Sequence, residues 1–279
     1  MLKERGVSVR YKLDDELLRR TVSGLVLAVA FLSGIYVGGI YWQLLCSTVA
    51  LLSLREYYGL LSIHFHVSKG IGFGAAIAIL SATWCSTRAE IYLVILVVST
   101  FAVFICEIIR RELKGYSTAL HNVGGTLSGL LYVVLPWSFI IQLRFNPLGP
   151  ILLLALFACT WSCDVVAFFA GKRWGRAPLS PAVSPKKTWE GFFSGLLASI
   201  LCATFIAYAL ALPPFPLVLM GILVGIAGQL GDLSESLLKR ETGVKDSGHL
   251  IPGHGGLLDR FDSIILSGTL FYLLFELLL

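Results

Sequence analysis

The sequence predicts an all-α, polytopic integral membrane protein, and three observations carry that expectation. Charged residues make up only 14% of the 279 positions, where a soluble domain would carry about 25%. Apolar residues make up 56%, with a mean hydropathy of +0.81. Long apolar runs recur along the chain, and lysine and arginine concentrate in alternate loops between them.

Residues 1–20 are charged and predict a cytoplasmic or interfacial arm, with 14–20 as a candidate interfacial helix. No small-residue cleavage site follows the first apolar run, so no cleavable signal peptide is expected. The apolar segments are 21–37, 40–54, 71–85, 91–109, 123–143, 151–170, 191–212, 215–230 and 261–279, about nine transmembrane helices. Several fall short of the ~20 residues of a perpendicular span. Only Gly38 and Gly39 separate the first two, which leaves open a tight hairpin or one long bent element. With the amino terminus inside, twenty of the twenty-two lysines and arginines fall on the inner side, leaving only Arg88 and Arg144 outside. The positive-inside rule then places the amino terminus in the cytoplasm and the carboxyl terminus outside. Residues 21–279 read as one membrane domain, with the chemistry concentrated in about 161–279.

All six cysteines lie in or beside apolar runs. That usage fits small buried apolar residues rather than a disulfide framework. Cys159 and Cys163 stand i, i+4 on one helix face, a weak metal signal. Glu107 and Glu276 sit near span ends and are assigned no role.

A polar stretch of mixed sign, 231–263, lies between two apolar runs. Such an island beside a membrane is costly and is usually functional. Asp232 ends the eighth span, and Asp259 and Asp262 begin the ninth. If those helices are neighbours, the carboxylates converge, and grouped carboxylates call for a cation. Hard oxygen ligands suit Mg²⁺, which takes one or two carboxylates plus substrate phosphates, and two-metal sites use the same ligands. Simple pairing with Lys239, Arg240 or Arg260 is the plainer alternative, and it is preferred for Glu235 and Glu241. Gly255 and Gly256 precede a helix, where unsatisfied amides receive an anion. His254 either contacts a phosphate or holds the turn. Lys239, Arg240, Lys245 and Arg260 supply charge for a triphosphate or a lipid phosphate, or anchor the chain at headgroups. Lys245, beside Asp246 and far from a span, is least explained by anchoring.

Three prolines deny the loop 171–190 a continuous helix. Ser184, Lys186, Lys187 and Thr188 form a compact anion-binding set or an ordinary basic interfacial loop. Asp164 lies inside an apolar span and is a functional candidate by default, or makes a buried hydrogen bond to Ser162 or Trp161.

The stretch 236–262 runs Ser236-Leu-Leu-Lys239-Arg240, four residues, Lys245-Asp246-Ser-Gly, then Leu250-Ile-Pro252-Gly-His254-Gly255-Gly256-Leu-Leu-Asp259-Arg260-Phe-Asp262. It resembles the signature of the phosphatidate cytidylyltransferases, or CDP-diacylglycerol synthases. Gly231-Asp232-Leu233 and the run from Ser184 to Gly191 share the likeness, as does Arg19-Arg20 before the first span. Where the family has an acid followed by Thr-Gly-Ala-Tyr, this chain has Asp164-Val165-Val166-Ala167-Phe168.

The resemblance implies transfer of CMP from CTP to phosphatidate, with Mg²⁺ dependence and one metal ion or two. It also implies a multi-pass inner-membrane enzyme with a cytoplasmic site, a homodimer, and no nucleic-acid partner. Asp232 and Asp259, with Asp164, would bind metal, and Asp246 and Lys245 would join the catalytic set. Ser184, Lys186, Lys187, Thr188, Ser236, Lys239, Arg240, His254, Gly255, Gly256, Arg260 and Asp262 would contact substrate. Two other readings compete: a membrane transferase acting on another lipid phosphate or a polyprenol, and an ion-coupled transporter. The transporter predicts acids near the midplane of several spans, and only Asp164 qualifies.

Overall fold

The computed structural model describes residues 21–85, 89–248, 250 and 255–278. Among them the architecture is helical throughout except for one small hairpin. The helices are α1 (Thr21–Val37), α2 (Gly39–Leu61), α3 (Lys69–Cys85), α4 (Ala89–Lys114), α5 (Ala119–Gly129), α6 (Leu135–Leu143), α7 (Gly149–Trp174), α8 (Trp189–Ala209), α9 (Pro214–Glu241) and α10 (Leu258–Leu278). A π-helical turn, Leu130–Val134, joins α5 to α6 in one continuous rod, Ala119–Leu143. Pro136 follows that turn and has no N–H to return to the Tyr132 carbonyl four residues back, which explains the local widening.

Among the described residues six rods are long and apolar enough to cross a membrane; α1 and α3 are apolar but shorter. α4 and α8 leave most of their apolar surface uncovered. On α8, Phe193, Leu197, Leu201 and Phe205 form an exposed stripe at four-residue spacing. An apolar stripe of this extent is tolerated in lipid and not in water. The chain is thus an all-α, multi-pass membrane protein.

The first two apolar segments form a tight hairpin. Gly38 takes φ 67°, ψ −150°, a conformation open essentially only to glycine. Beyond it α2 turns back on α1, so the rings of Phe31 and Trp42 meet edge-on at 6.0 Å. Arg144, at the end of α6, closes the corner: its Nε donates to the Ile35 carbonyl at 2.7 Å. A Cβ on Gly38 would stand 2.5 Å from that guanidinium. Gly38→Ala is therefore expected to lower stability by at least about 1 kcal/mol. Gly39 has positive φ and open space around it, so Gly39→Ala costs less. Thermal unfolding in detergent orders the two.

Aromatic packing ties the halves together. Phe31 lies 4.9 Å from Phe261 and 5.5 Å from Phe157, and Trp137 lies 5.2 Å from Phe261. Phe261 thereby seats α10 between Arg260 and Asp262. α7, α8 and α9 pack nearly backbone to backbone. A Cβ on Gly195 would meet Cys163 O at 2.9 Å, and one on Gly231 would meet Asp262 O at 2.4 Å. This second approach brings the acids of α9 beside those of α10.

Glu107 is buried and faces inward rather than snorkelling. Its two oxygens accept from the Asn122 side chain at 2.6 Å and the Thr118 amide at 2.9 Å, and Arg110 lies 3.0 Å away. Asn122 in turn accepts the Ser68 amide at 2.6 Å. One carboxylate therefore holds two inter-helix loops at the same end of the bundle.

The loop after α7 is not irregular. Pro178–Ser180 (β1) and Ser184–Thr188 (β2) pair antiparallel, with Pro178 opposite Thr188. Thr188 then caps α8, its hydroxyl accepting the Gly191 amide at 3.2 Å.

Candidate active site

A cavity of about 930 Å³ opens where the ends of α7 and α9 meet β2 and the starts of α8 and α10. Asp164, Asp232, Asp259 and Asp262 line it, as do Lys172, Lys186, Lys187, Thr188 and Arg260. Trp161, Phe168 and Phe192 supply apolar wall. Acids and bases from four separate segments thus meet in one hollow. Each is aimed by a structured element: the capped hairpin presents Lys186 and Lys187, and the Gly231 contact sets Asp232 next to Asp262.

The acids differ in their engagement. Lys187 Nζ lies 2.7 Å from Asp232 Oδ2 and donates to the Gln229 carbonyl at 3.4 Å. Ser236 donates to Asp232 Oδ1 at 3.3 Å. Asp164 and Asp262 are close enough to Asp232 to feel its charge. Among the described residues no three of histidine, cysteine, aspartate and glutamate stand together as a preformed metal cage.

Asp259 has both oxygens engaged within the protein. Lys239 Nζ lies 2.6 Å from Oδ1. Oδ2 accepts from the Ser247 amide at 3.0 Å, the Ser247 hydroxyl at 2.9 Å and the Gly256 amide at 2.9 Å. It reaches back from the first turn of α10 in the manner of a capping box. Lys239 also meets Glu235 Oε2 at 3.2 Å. Glu235 pairs with a base as the sequence suggests, but it does so fully buried, 0% exposed, not at the membrane surface.

Other expected residues stand around the cavity rather than in its lining. Arg240 donates from Nε to the Val183 carbonyl at 3.0 Å, tying the end of α9 to the hairpin turn. Lys245 and Asp246 are exposed on the loop before α10. Gly255, with φ 82°, brings its backbone near Asp246 and Asp259. Ser184 begins β2. His254 lies outside the described residues, as does His249.

Sequence reasoning missed Lys172 and Gln229, which line the cavity, and two contributions from the amino-terminal half. Tyr132, in the π-helical turn, donates to the Gly231 carbonyl at 3.5 Å and packs on Tyr57 at 5.6 Å. Glu56 of α2 accepts the Leu258 amide at 2.8 Å. Ending the second span at residue 54 put Glu56 in a loop. The helix runs on to Leu61, which makes Glu56 a buried acid in a span, the signal that would have found it.

The model of the cytidylyltransferase family matches residues 18–278. A phosphatidate cytidylyltransferase of Synechocystis sp. is 32% identical over 293 residues, covering 94% of this chain and 97% of that protein. One of Staphylococcus saprophyticus is 31% identical over 252 residues, 88% of this chain and 94% of the relative. One of Rickettsia bellii is 40% identical over 168 residues, 56% of this chain and 71% of the relative. Matched along almost its whole length, and holding its acids and bases in one cavity, the chain belongs to the cytidylyltransferase family and is a nucleotidyltransferase.

Proposed function

We propose that the protein transfers the CMP moiety of CTP to phosphatidate, giving CDP-diacylglycerol and pyrophosphate. The observation that carries this reading is the mixed lining of one cavity. Asp164, Asp232 and Asp262 face Lys172, Lys186, Lys187 and Arg260, with Trp161 and Phe168 on the wall. A triphosphate needs the bases, a diacyl phosphate needs an apolar flank, and the acids suit a divalent ion between them.

A hard cation that takes one or two carboxylates and completes its shell from substrate phosphates fits an incomplete cage of this kind. Lys187 already places a positive charge on Asp232 Oδ2. Asp232, with Asp164 and Asp262, would hold Mg²⁺, which supplies charge neutralisation along the triphosphate. Asp259 also lines the cavity and would join that ion by giving up Lys239, as Asp232 would give up Lys187, while its Oδ2 holds the loop. Lys186, Lys187 and Arg260 bind and orient phosphates. An anionic oxygen of the lipid phosphate attacks the α-phosphorus of CTP. The new P–O bond forms as the bond to the bridging oxygen of the β-phosphate breaks, and pyrophosphate leaves with that oxygen. The attacking oxygen carries its own charge, so positioning and electrostatics provide the acceleration without a strong base. The loop charges support a site on the cytoplasmic side of the inner membrane.

Purified protein in mixed micelles, given labelled CTP, phosphatidate and Mg²⁺, is expected to form labelled CDP-diacylglycerol, and chelation is expected to stop it. Labelling of an isoprenoid alcohol in place of phosphatidate would overturn the substrate, and undiminished turnover under chelation would overturn the metal.

A further inference from the structure

Glu56 lies outside the cavity lining and outside the signature, on a helix of the other half of the chain. It is 7% exposed. Its Oε2 accepts the Leu258 amide at 2.8 Å and the Ser247 hydroxyl at 3.5 Å. The loop is shaped around it. A Cβ on Gly248 would stand 2.4 Å from Glu56 Oε1, and one on Gly256 would stand 2.8 Å from Oε2. Gly248 therefore leaves volume that this carboxylate fills, and Gly256 leaves volume filled first by the Ser247 hydroxyl and then by Glu56.

The Leu258 amide is among the first four of α10, which have no partner within the helix. Glu56 satisfies it from another helix and sets a negative charge at a helix amino terminus, where charge of that sign is favoured. Ser247 is shared: its hydroxyl lies 2.9 Å from Asp259 Oδ2 and 3.5 Å from Glu56 Oε2. Glu56 and Asp259 thus grip the same turn from opposite sides. That turn opens the helix carrying Arg260 and Asp262 into the cavity.

We infer that Glu56 is a positioning residue for the reaction: through Ser247, Gly248, Gly256 and Leu258 it seats the start of α10 and so sets the aim of its first turn. Its activity readout rests on the proposed function; its structural readout does not. The hairpin cations Lys186 and Lys187 stand on other elements while Arg260 and Asp262 stand on α10, so nucleotide binding is expected to weaken less than turnover.

Hydrogen exchange and steady-state kinetics on full-length protein in detergent test this together. In Glu56→Ala, amides around 255–260 are expected to exchange about tenfold faster or more, with α7 and α8 unchanged. The kcat is expected to fall about tenfold or more, with KM for CTP rising by a smaller factor. Glu56→Gln keeps an acceptor oxygen for Leu258 and is expected to retain at least about a third of kcat. Gly248→Ala in the native background is expected to reproduce the Glu56→Ala defect, and the double variant to be no worse than Glu56→Ala alone, because the new methyl occupies vacated space. Unchanged exchange, a kcat within about threefold of native for Glu56→Ala, or losses that multiply in the double variant would each overturn the inference. If Glu56→Ala does not fold, Gly248→Ala decides by the same two measurements. A native protein that makes no product would overturn the proposed function, while exchange still judges Glu56.

Discussion

Replacing Asp232 by Asn is expected to lower turnover by about 10²–10³-fold and to leave the fold intact. The shape of the side chain is kept and its charge is lost beside Lys187, in the cavity that Asp164 and Asp262 also line. The stability cost is small for two reasons. The Lys187–Asp232 pair is partly open to solvent, and such pairs contribute about 0–1 kcal/mol. Removing the charge also relieves repulsion on the two neighbouring acids. Turnover with saturating CTP, set beside the thermal midpoint in detergent, separates the effects. A midpoint equal to or above the native value with activity gone identifies Asp232 as a group that serves chemistry at some cost to the fold. Near-native turnover at saturating Mg²⁺ would remove it from the site.

Lys239→Met is expected to do the opposite, with its primary effect on stability. Lys239 lies between Glu235 and Asp259, at 3.2 and 2.6 Å; Glu235 is fully buried and the Asp259 side chain is 7% exposed. Methionine fills much of the volume but leaves two carboxylates facing each other without a cation. Breaking a buried pair by removing one partner costs about 3–5 kcal/mol. Asp259 keeps its bonds to Ser247 and Gly256, so the loss should centre on Glu235, whose Oε1 already lacks a partner among the described residues. Glu235→Gln added to Lys239→Met should therefore recover part of the loss. Chemical or thermal unfolding of the two variants checks the order. If the second change deepens the defect, the buried charge is not its source.

The helices were legible because lipid imposes a simple rule: an apolar run must satisfy its own backbone, and only a helix does so within one segment. Each expected apolar segment is matched by an observed helix, of which six are long and apolar enough to cross a membrane among the described residues, and the two long polar stretches contribute acids and bases to one cavity. Hydropathy could not reveal how far a helix continues past its apolar run. α2 continues through Arg55, Glu56 and two tyrosines to Leu61, and Glu56 was missed for that reason. Nor could spacing show which partners each cavity carboxylate takes from the rest of the chain. Asp259 and Asp262 are one turn apart on the same helix, yet Asp259 accepts from Lys239, Ser247 and Gly256, which are remote or hidden in the string of letters. The proline-rich loop hid a β-hairpin because five residues of paired strand carry too little alternation to register as a period.

The cavity wall has a kinetic consequence. Trp161 and Phe168 line the hollow and keep 45% and 63% of their surface exposed, so the α7 side of the cavity offers apolar surface to a lipid tail. A diacyl substrate would then arrive by diffusion in two dimensions, its tails staying among other tails throughout. Its saturation would follow mole fraction in the leaflet, and diluting it with inert lipid would slow the reaction at constant bulk amount. The nucleotide, approaching through water, would still obey molarity.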